Sequence, residues 1–311
     1  WTLTSASPPS SGGVALAQML NTMTALESRV IEGETSEPPR TQRLHFLTEA
    51  MRRAYRDRAR YLGDPDFVEV PVDRLTSPAY GAELADTIDV FKATPSAPLP
   101  APTGAGADTS HLSVLDLDGN RVSATLSINY PFGSGFVAPG TGVLLNDEMD
   151  DFAAAPGVPN AYGLVGGEAN AIAPGKRMLS SMSPSFLESD RGLVILGTPG
   201  GSRIITMVLH GLLAAVDGRG SAIDWVSAPR WHHQFLPDEI LFEPGAISEA
   251  EREALEARGH HLQVAERPFG NMQLIHWNRL VNRVEAASDP RGLGAAKVLA
   301  RDEIAPATST D

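Results

Sequence analysis

Apolar residues recur at three- and four-residue steps over two long stretches near the start of the chain, a spacing that predicts helices. In the clearer one Leu44, Leu47, Met51, Ala54, Tyr55 and Leu62 share a face, with Arg52, Arg53, Arg56 and Asp57 between them. The other is expected over 13–27, capped by Ser10 or Ser11, with Val14, Ala17, Met19 and Leu20 among its apolar positions. The polar, proline-containing stretch 32–40 separates the two, and Gly63-Asp64-Pro65-Asp66 ends the second. A short helix is expected at 78–89. Residues 93–107 then lose all periodicity: rich in Pro, Ala and Gly and without charge, they read as an exposed, mobile loop.

Past that loop the period drops to two. Residues 111–117 and 122–128 alternate about Asp118-Gly119-Asn120, the pattern of a β-hairpin. Further strands are expected at 183–188, 193–196, 240–243, 261–264, 272–276 and 280–285, and helices at 202–216, 221–228 and 248–258. No segment repeats another. Strands and helices clustered in this way predict an α+β layered fold rather than a βαβ series.

Composition narrows the function classes. The 311 residues are 42% hydrophobic and 20% charged, ample for a buried core. Acidic residues outnumber basic ones 38 to 25, for a formal net charge of −13, and no basic run with interleaved aromatics occurs. Such a surface repels phosphate backbones, so no nucleic-acid partner is expected. There is no cysteine, which removes disulfides, thiolate metal sites and cysteine nucleophiles together. The longest apolar stretch, 204–216, is interrupted by Thr206, His210 and Gly211 and falls short of the roughly 18 residues of a membrane span. Trp1 is not an initiator methionine and no signal-like segment follows it, so the chain reads as part of something longer.

Thr109 lies just beyond the charge-free loop, at the start of the first hairpin strand. If the backbone were cut before it, its hydroxyl and a new α-amine would share one residue. A terminal amine has an unperturbed pKa of about 7.7–8.0, so it can take a proton near neutral pH. That supplies the adjacent base a weak hydroxyl nucleophile needs. Before scission the same hydroxyl could attack the carbonyl of Asp108. A threonine after a loop is, by itself, more often a plain strand start.

The surrounding motifs change that balance. Thr109-Ser110-His111-Leu112-Ser113-Val114 with Asp118-Gly119-Asn120 resembles the start of the small subunit of the γ-glutamyltranspeptidases. So do the run from Leu144 to Phe152, Pro156 to Asn160, Leu179 to Pro184, and Gly197-Thr198-Pro199-Gly200-Gly201-Ser202-Arg203. Upstream, Pro8 to Gly13 and Tyr61-Leu62-Gly63-Asp64-Pro65 resemble the end of that family's large subunit. The resemblance spans nearly the whole chain and implies an N-terminal nucleophile hydrolase with an αββα four-layer sandwich, incomplete at its N-terminus. Residues 1–108 would be the C-terminal part of the large subunit and 109–311 the small catalytic subunit, both parts of one interleaved domain. The implied partners are γ-glutamyl donors, amino acid or peptide acceptors and the upstream remainder of the large subunit. No cofactor and no metal is implied, and a periplasmic or secreted location is expected by analogy, with a signal peptide upstream of Trp1.

The resemblance also implies roles. Thr109 would be both self-cleavage residue and nucleophile, and Ser127, where many members carry threonine, its hydrogen-bond partner. Gly200 and Gly201 would form the oxyanion hole. Asn129, Glu148 and Asp151 would hold the amino group and carboxylate of the glutamyl moiety, Ser180 and Ser181 its α-carboxylate. Residues 156–170 with Tyr162 would be a lid. Each group has a plainer alternative. A glycine pair before a helix can be a tight turn or a phosphate cradle, though the lysine and spacing of a P-loop are absent. The acidic run 147–151 can be a solvated turn, and it lacks the spacing of an EF-hand. A serine pair is commonly loop chemistry. Adjacent histidines at 232–233 and 260–261 point to opposite faces of a strand and do not readily share a metal. His210, inside an apolar helix, reads as a satisfied core histidine. The arginine by which members grip the substrate carboxylate belongs to the earlier part of the large subunit and has no counterpart assigned here.

Overall fold

A computed structural model describes residues 1–31, 39–96, 109–160, 162–300 and 303. Asp108 and positions 97–107 of the charge-free loop lie outside them. The chain opens on strand β1 (Thr2–Ser5), followed by helices α1 (Gly12–Ile31), α2 (Pro39–Tyr61), α3 (Val72–Leu75) and α4 (Pro78–Asp86). The periodic apolar faces of α1 and α2 pack on one another: Leu16, Met19, Leu47, Met51 and Tyr55 are buried in one cluster. The hairpin is β2 (Thr109–Leu115) and β3 (Arg121–Ser127), with Thr109 directly opposite Ser127.

Next come β4 (Ser185–Ser189), β5 (Gly192–Gly197), α5 (Ile204–Asp217), α6 (Ala222–Ser227), β6 (Trp231–His232) and β7 (Ile240–Phe242). The chain then runs through α7 (Glu249–Ala257), β8 (Leu262–Val264), β9 (Gln273–Asn278) and β10 (Arg283–Ser288). Local chemistry sets several boundaries. Ser221 with Asp224, and Ser248 with Glu251, form reciprocal capping boxes that start α6 and α7. A left-handed Gly218 stops α5.

The main sheet has the order β1-β4-β5-β9-β10 and is antiparallel throughout. Leu196 faces α5, where it abuts Gly211. The alternate positions of β5 face the other way, and there the His111 ring of the hairpin lies against Gly197. Helices, main sheet and hairpin thus stack as three successive layers of the expected sandwich, and no second helical layer covers the hairpin among the described residues. Its outer face, Leu112, Val114, Val122 and Leu126, is exposed. A small sheet of order β6-β7-β8 lies apart from the main one.

Two strands add to the expected elements and two expected bounds shift. β1 and the two-residue β6 have too little local pattern to be read, and exist because β4 and β7 pair with them. The last strand was expected at 280–285 and runs instead over Arg283–Ser288. Leu280 and Val281 are turn residues whose amides donate to Asn278 Oδ1, so their apolar character reflects no burial. The expected helix 202–216 begins as a short 3₁₀ turn, Gly201–Arg203, before α5.

Candidate active site

Thr109, at the first rung of the hairpin, places its Oγ1 3.0 Å from Ser127 Oγ. Two residues on, the chain turns with Asn129 at φ +70°, a left-handed conformation that asparagine tolerates better than most. The turn brings the Asn129 amide back to Ser127 Oγ, at 2.9 Å, and buries the Asn129 side chain, which donates to Asp147 O. The expected acidic run is a 3₁₀ turn, Glu148–Asp151, so the two carboxylates three residues apart share one side.

Their electrostatics differ from those of a solvated turn. Burial pushes the Asp151 carboxyl up to about 7, against a downward pull from Arg58. Burial also raises Glu148, whose Oε1 is enclosed with no hydrogen-bond partner among the described residues. Buried carboxylate oxygens left unmatched mark a place for a cation or a hydrogen-bond donor.

The serine pair is fastened to the first part of the chain. Ser180 N donates to Pro9 O, and Ser11 donates to Ser180 O through both its amide (2.8 Å) and its hydroxyl (2.7 Å). Just upstream, buried Asp64 accepts from the Arg177 amide, Nε and Nη2 at 2.8, 3.0 and 2.5 Å. Arg58 Nη2 donates to Ser181 Oγ at 3.2 Å, and its Nε to Ser11 Oγ at 2.9 Å. Sequence reasoning missed Arg58. The signal was available: it occupies the 3–4 spacing Met51, Tyr55, Arg58, Leu62, so α2 buries a guanidinium within its apolar stripe.

After β5 the chain turns through Gly200 at φ +145° and Gly201 at φ +58°, conformations that favour glycine. A Cβ on Gly200 would lie 2.3 Å from Met207 Cε, and one on Gly201 2.6 Å from the Tyr162 ring. Tyr55, buried on α2, donates its hydroxyl to Ser202 O and steadies the turn. Tyr162 donates to Asn129 Oδ1 at 2.7 Å and stacks on Tyr130 with ring centroids 5.4 Å apart.

These groups surround one cleft, lined by Thr109, Ser127, Asn129, Glu148, Asp151 and Tyr162 on one side and by Ser180, Ser181, Gly201 and Ser202 on the other. All the expected site residues line it except Gly200, which stands one residue behind Gly201 with its carbonyl accepting from Arg203 N. The histidines lie elsewhere. His210 donates to Trp231 O, as a core histidine should. His232 and His233 take separate partners, Thr206 and Asp238. His45, Glu49 and His260 come together with possible ligand atoms within 4.8 Å of one another. Arg52 and Arg53 already neutralise Glu49, so this donor set is poorly suited to a cation.

A strand-initial threonine, a glycine turn before a buried helix and a main sheet layered on the hairpin are features of the N-terminal nucleophile hydrolase fold. Comparison with known proteins gives the family. The Gamma-glutamyltranspeptidase family model matches residues 1–299, and the chain belongs to that family. It is 43% identical over 291 residues to the glutathione hydrolase proenzyme of Escherichia coli K12, an alignment covering 92% of this chain and 49% of that protein. The chain thus spans about half the length of such relatives. Among solved structures, γ-glutamyltranspeptidase from Pseudomonas nitroreducens complexed with L-DON is 47% identical, with a TM-score of 0.56, over 61% of this chain and 99% of that one. Cephalosporin acylase from Bacillus halodurans is 25% identical, with a TM-score of 0.76, over 95% of this chain and 50% of that one.

Proposed function

We propose that the protein containing this chain is a γ-glutamyl hydrolase and transferase that matures by cutting itself between Asp108 and Thr109. The observation that carries this reading is the shared cleft. Thr109, the glycine turn, the carboxylates of Glu148 and Asp151 and the serine pair all line it, which supports a nucleophile and two recognition sets of opposite preference around one space. In the precursor Thr109 Oγ1 attacks the Asp108 carbonyl, the peptide becomes an ester, and water opens it. In the mature enzyme the same oxygen attacks the γ-carbonyl of a donor such as glutathione, while the new α-amine takes the hydroxyl proton. The C–N bond breaks, the amine leaves with that proton, and a γ-glutamyl ester remains on Thr109. Water or the amine of an amino acid or peptide then resolves it.

Glu148 and Asp151 suit the donor's ammonium, with Asn129 beside them. Ser180 and Ser181, the latter held by Arg58 from behind, suit its carboxylate. Backbone amides of Gly200 and Gly201 are assigned to the tetrahedral oxyanion. The exposed outer face of the hairpin is assigned to the upstream half of the precursor, which supplies the missing helical layer. No helix among the described residues is long and apolar enough to cross a membrane, and the periplasm or the exterior is the proposed location. Thr109→Ala in the full-length protein should give an uncut precursor with no turnover of γ-glutamyl-p-nitroanilide. A variant that still matured and turned over would end this reading.

A second reading follows from the likeness to the cephalosporin acylase: the nucleophile is kept and a glutaryl or other acyl side chain is the substrate. The unmatched Glu148 oxygen beside Asp151 favours a donor bearing an ammonium. Relative turnover of γ-glutamyl and glutaryl amides decides between them.

A further inference from the structure

The lid residue Tyr162 is held at both ends. Its hydroxyl reaches Asn129 and its ring covers Gly201. At the other end its backbone carbonyl accepts a hydrogen bond from Gln234 Nε2 at 2.9 Å. Gln234 is buried just past β6 and its Nε2 also donates to Leu236 O, at 3.1 Å. Two carbonyls on one side admit only the NH₂ of the amide, so Oε1 must face the other way. There it lies 2.8 Å from His232 Nε2.

That contact fixes the histidine in turn. An amide oxygen only accepts, so His232 Nε2 carries the proton and Nδ1 is left as an acceptor. Its partner is Thr206 Oγ1, 2.7 Å away in the first turn of α5. Burial keeps the ring neutral by pushing its pKa down to about 3. Its ring also meets Tyr55, the residue bonded to the glycine turn, edge to face, with ring centroids 5.7 Å apart at 86°. One buried chain of contacts therefore runs from α5 through His232 and Gln234 to the backbone of Tyr162.

We infer that Gln234, oriented by His232, is a positioning residue that holds the lid's Tyr162 over the glycine turn. This rests on the reading of the cleft given above. Gln234 touches no substrate in that reading. It sets where the lid sits relative to α5, and so how firmly the donor is enclosed. A side chain that merely filled space would have no need of two donors aimed at carbonyls.

The test uses the full-length protein with Gln234→Met, which keeps the volume and removes both donors. The expected result is at least fivefold faster deuterium uptake in a peptide spanning 162–166, with uptake in α5 and β9 unchanged. With γ-glutamyl-p-nitroanilide, KM should rise about tenfold while kcat stays within about twofold, the signature of lost ground-state binding. Gln234→Glu adds a readout that a packing role would not move. Ionised, it has no donor for Tyr162 O and should free the lid at pH 8. Protonated, it regains one and should restore near-parental uptake at pH 5 relative to the parent at the same pH. Parental uptake over 162–166 in a folded Gln234→Met protein would overturn the inference. Should that variant fail to fold, the pH-dependent uptake of Gln234→Glu decides, and uptake that does not change with pH overturns it. Uptake needs no turnover, so a protein that responds in this way yet ignores γ-glutamyl amides would sink the proposed activity and leave the lid contact standing.

Discussion

The hydroxyl oxygens of Thr109 and Ser127 face one another across the first rung of the hairpin, 3.0 Å apart. Ser127 also accepts from the Asn129 amide, so the oxygen that meets the Thr109 hydroxyl is itself tied to the turn that carries Asn129. This is how a two-stranded element with an exposed outer face can still hold the Thr109 hydroxyl in place.

Removing the Ser127 hydroxyl should therefore cost rate more than structure. Ser127→Ala is expected to lower kcat by about 10–100-fold, corresponding to about 1.4–2.7 kcal/mol at the transition state. Maturation should slow in parallel. Ser127→Thr should retain activity, since the added methyl narrows the rotamers without removing the oxygen. Steady-state kinetics with gel analysis of precursor and product settle both.

Asp151 should impose a pH dependence on donor binding. Burial raises its carboxyl to about 7, and only the ionised form attracts an ammonium. KM for an amino-acid donor should fall as pH rises from about 6 to 8, and Asp151→Asn should flatten that slope while raising KM throughout. The sign for stability is opposite. A carboxyl whose folded pKa lies above its unfolded value, about 3.9, favours folding below that value and loses the contribution as pH rises through 7. Asp151→Asn should accordingly melt above the parent at pH 8 and close to it at pH 4.

Gly201→Ala should disturb the lid from beneath. The residue sits at φ +58° and the added methyl would fall 2.6 Å from the Tyr162 ring. The backbone strain alone is of order 1–3 kcal/mol. A drop of that size in urea-unfolding free energy is expected, together with reduced quenching between Tyr162 and its stacked neighbour Tyr130. An unchanged tyrosine signal would show that the ring does not rest on this glycine.

The outer face of the hairpin should behave differently alone and in the full-length protein. Leu126 is 57% exposed here, and Leu112, Val114 and Val122 accompany it. Leu126→Lys should make the isolated chain more soluble. It should destabilise the full-length protein by about 1.5–3 kcal/mol, the worth of one buried leucine. Equal effects in both contexts would mean that nothing covers this face.

Much of this was legible in the residues. The hairpin was readable because alternation, a turn and β-branched residues agree over residues 111–128. The capping boxes at Ser221 and Ser248 fixed helix starts by local hydrogen bonding alone. What escaped depends on distant partners. Four residues of β1 carry no pattern until β4 pairs with them, and Leu280-Val281 imitates a strand although Asn278 has already turned the chain. Arg58 was passed over because a cation in an apolar stripe is ordinarily a surface residue. Its buried contacts come from Ser11 and Ser181, 47 and 123 positions away. The role of Gln234 was invisible for the same reason, since nothing near it in sequence announces Tyr162.

The pairing of β1 with β4 bears on what happens once the backbone is opened. Thr2 to Ser5 are laced to Ser185 through Glu188, and Ser10 and Ser11 to the segment holding Ser180. A severed molecule would share one hydrogen-bonded sheet between two polypeptides. Neither piece could drift off without tearing a strand from the middle layer, so parting the fragments and melting them should be a single event. Fragments made separately would have no finished half to dock against, which makes cutting after folding the natural order of assembly.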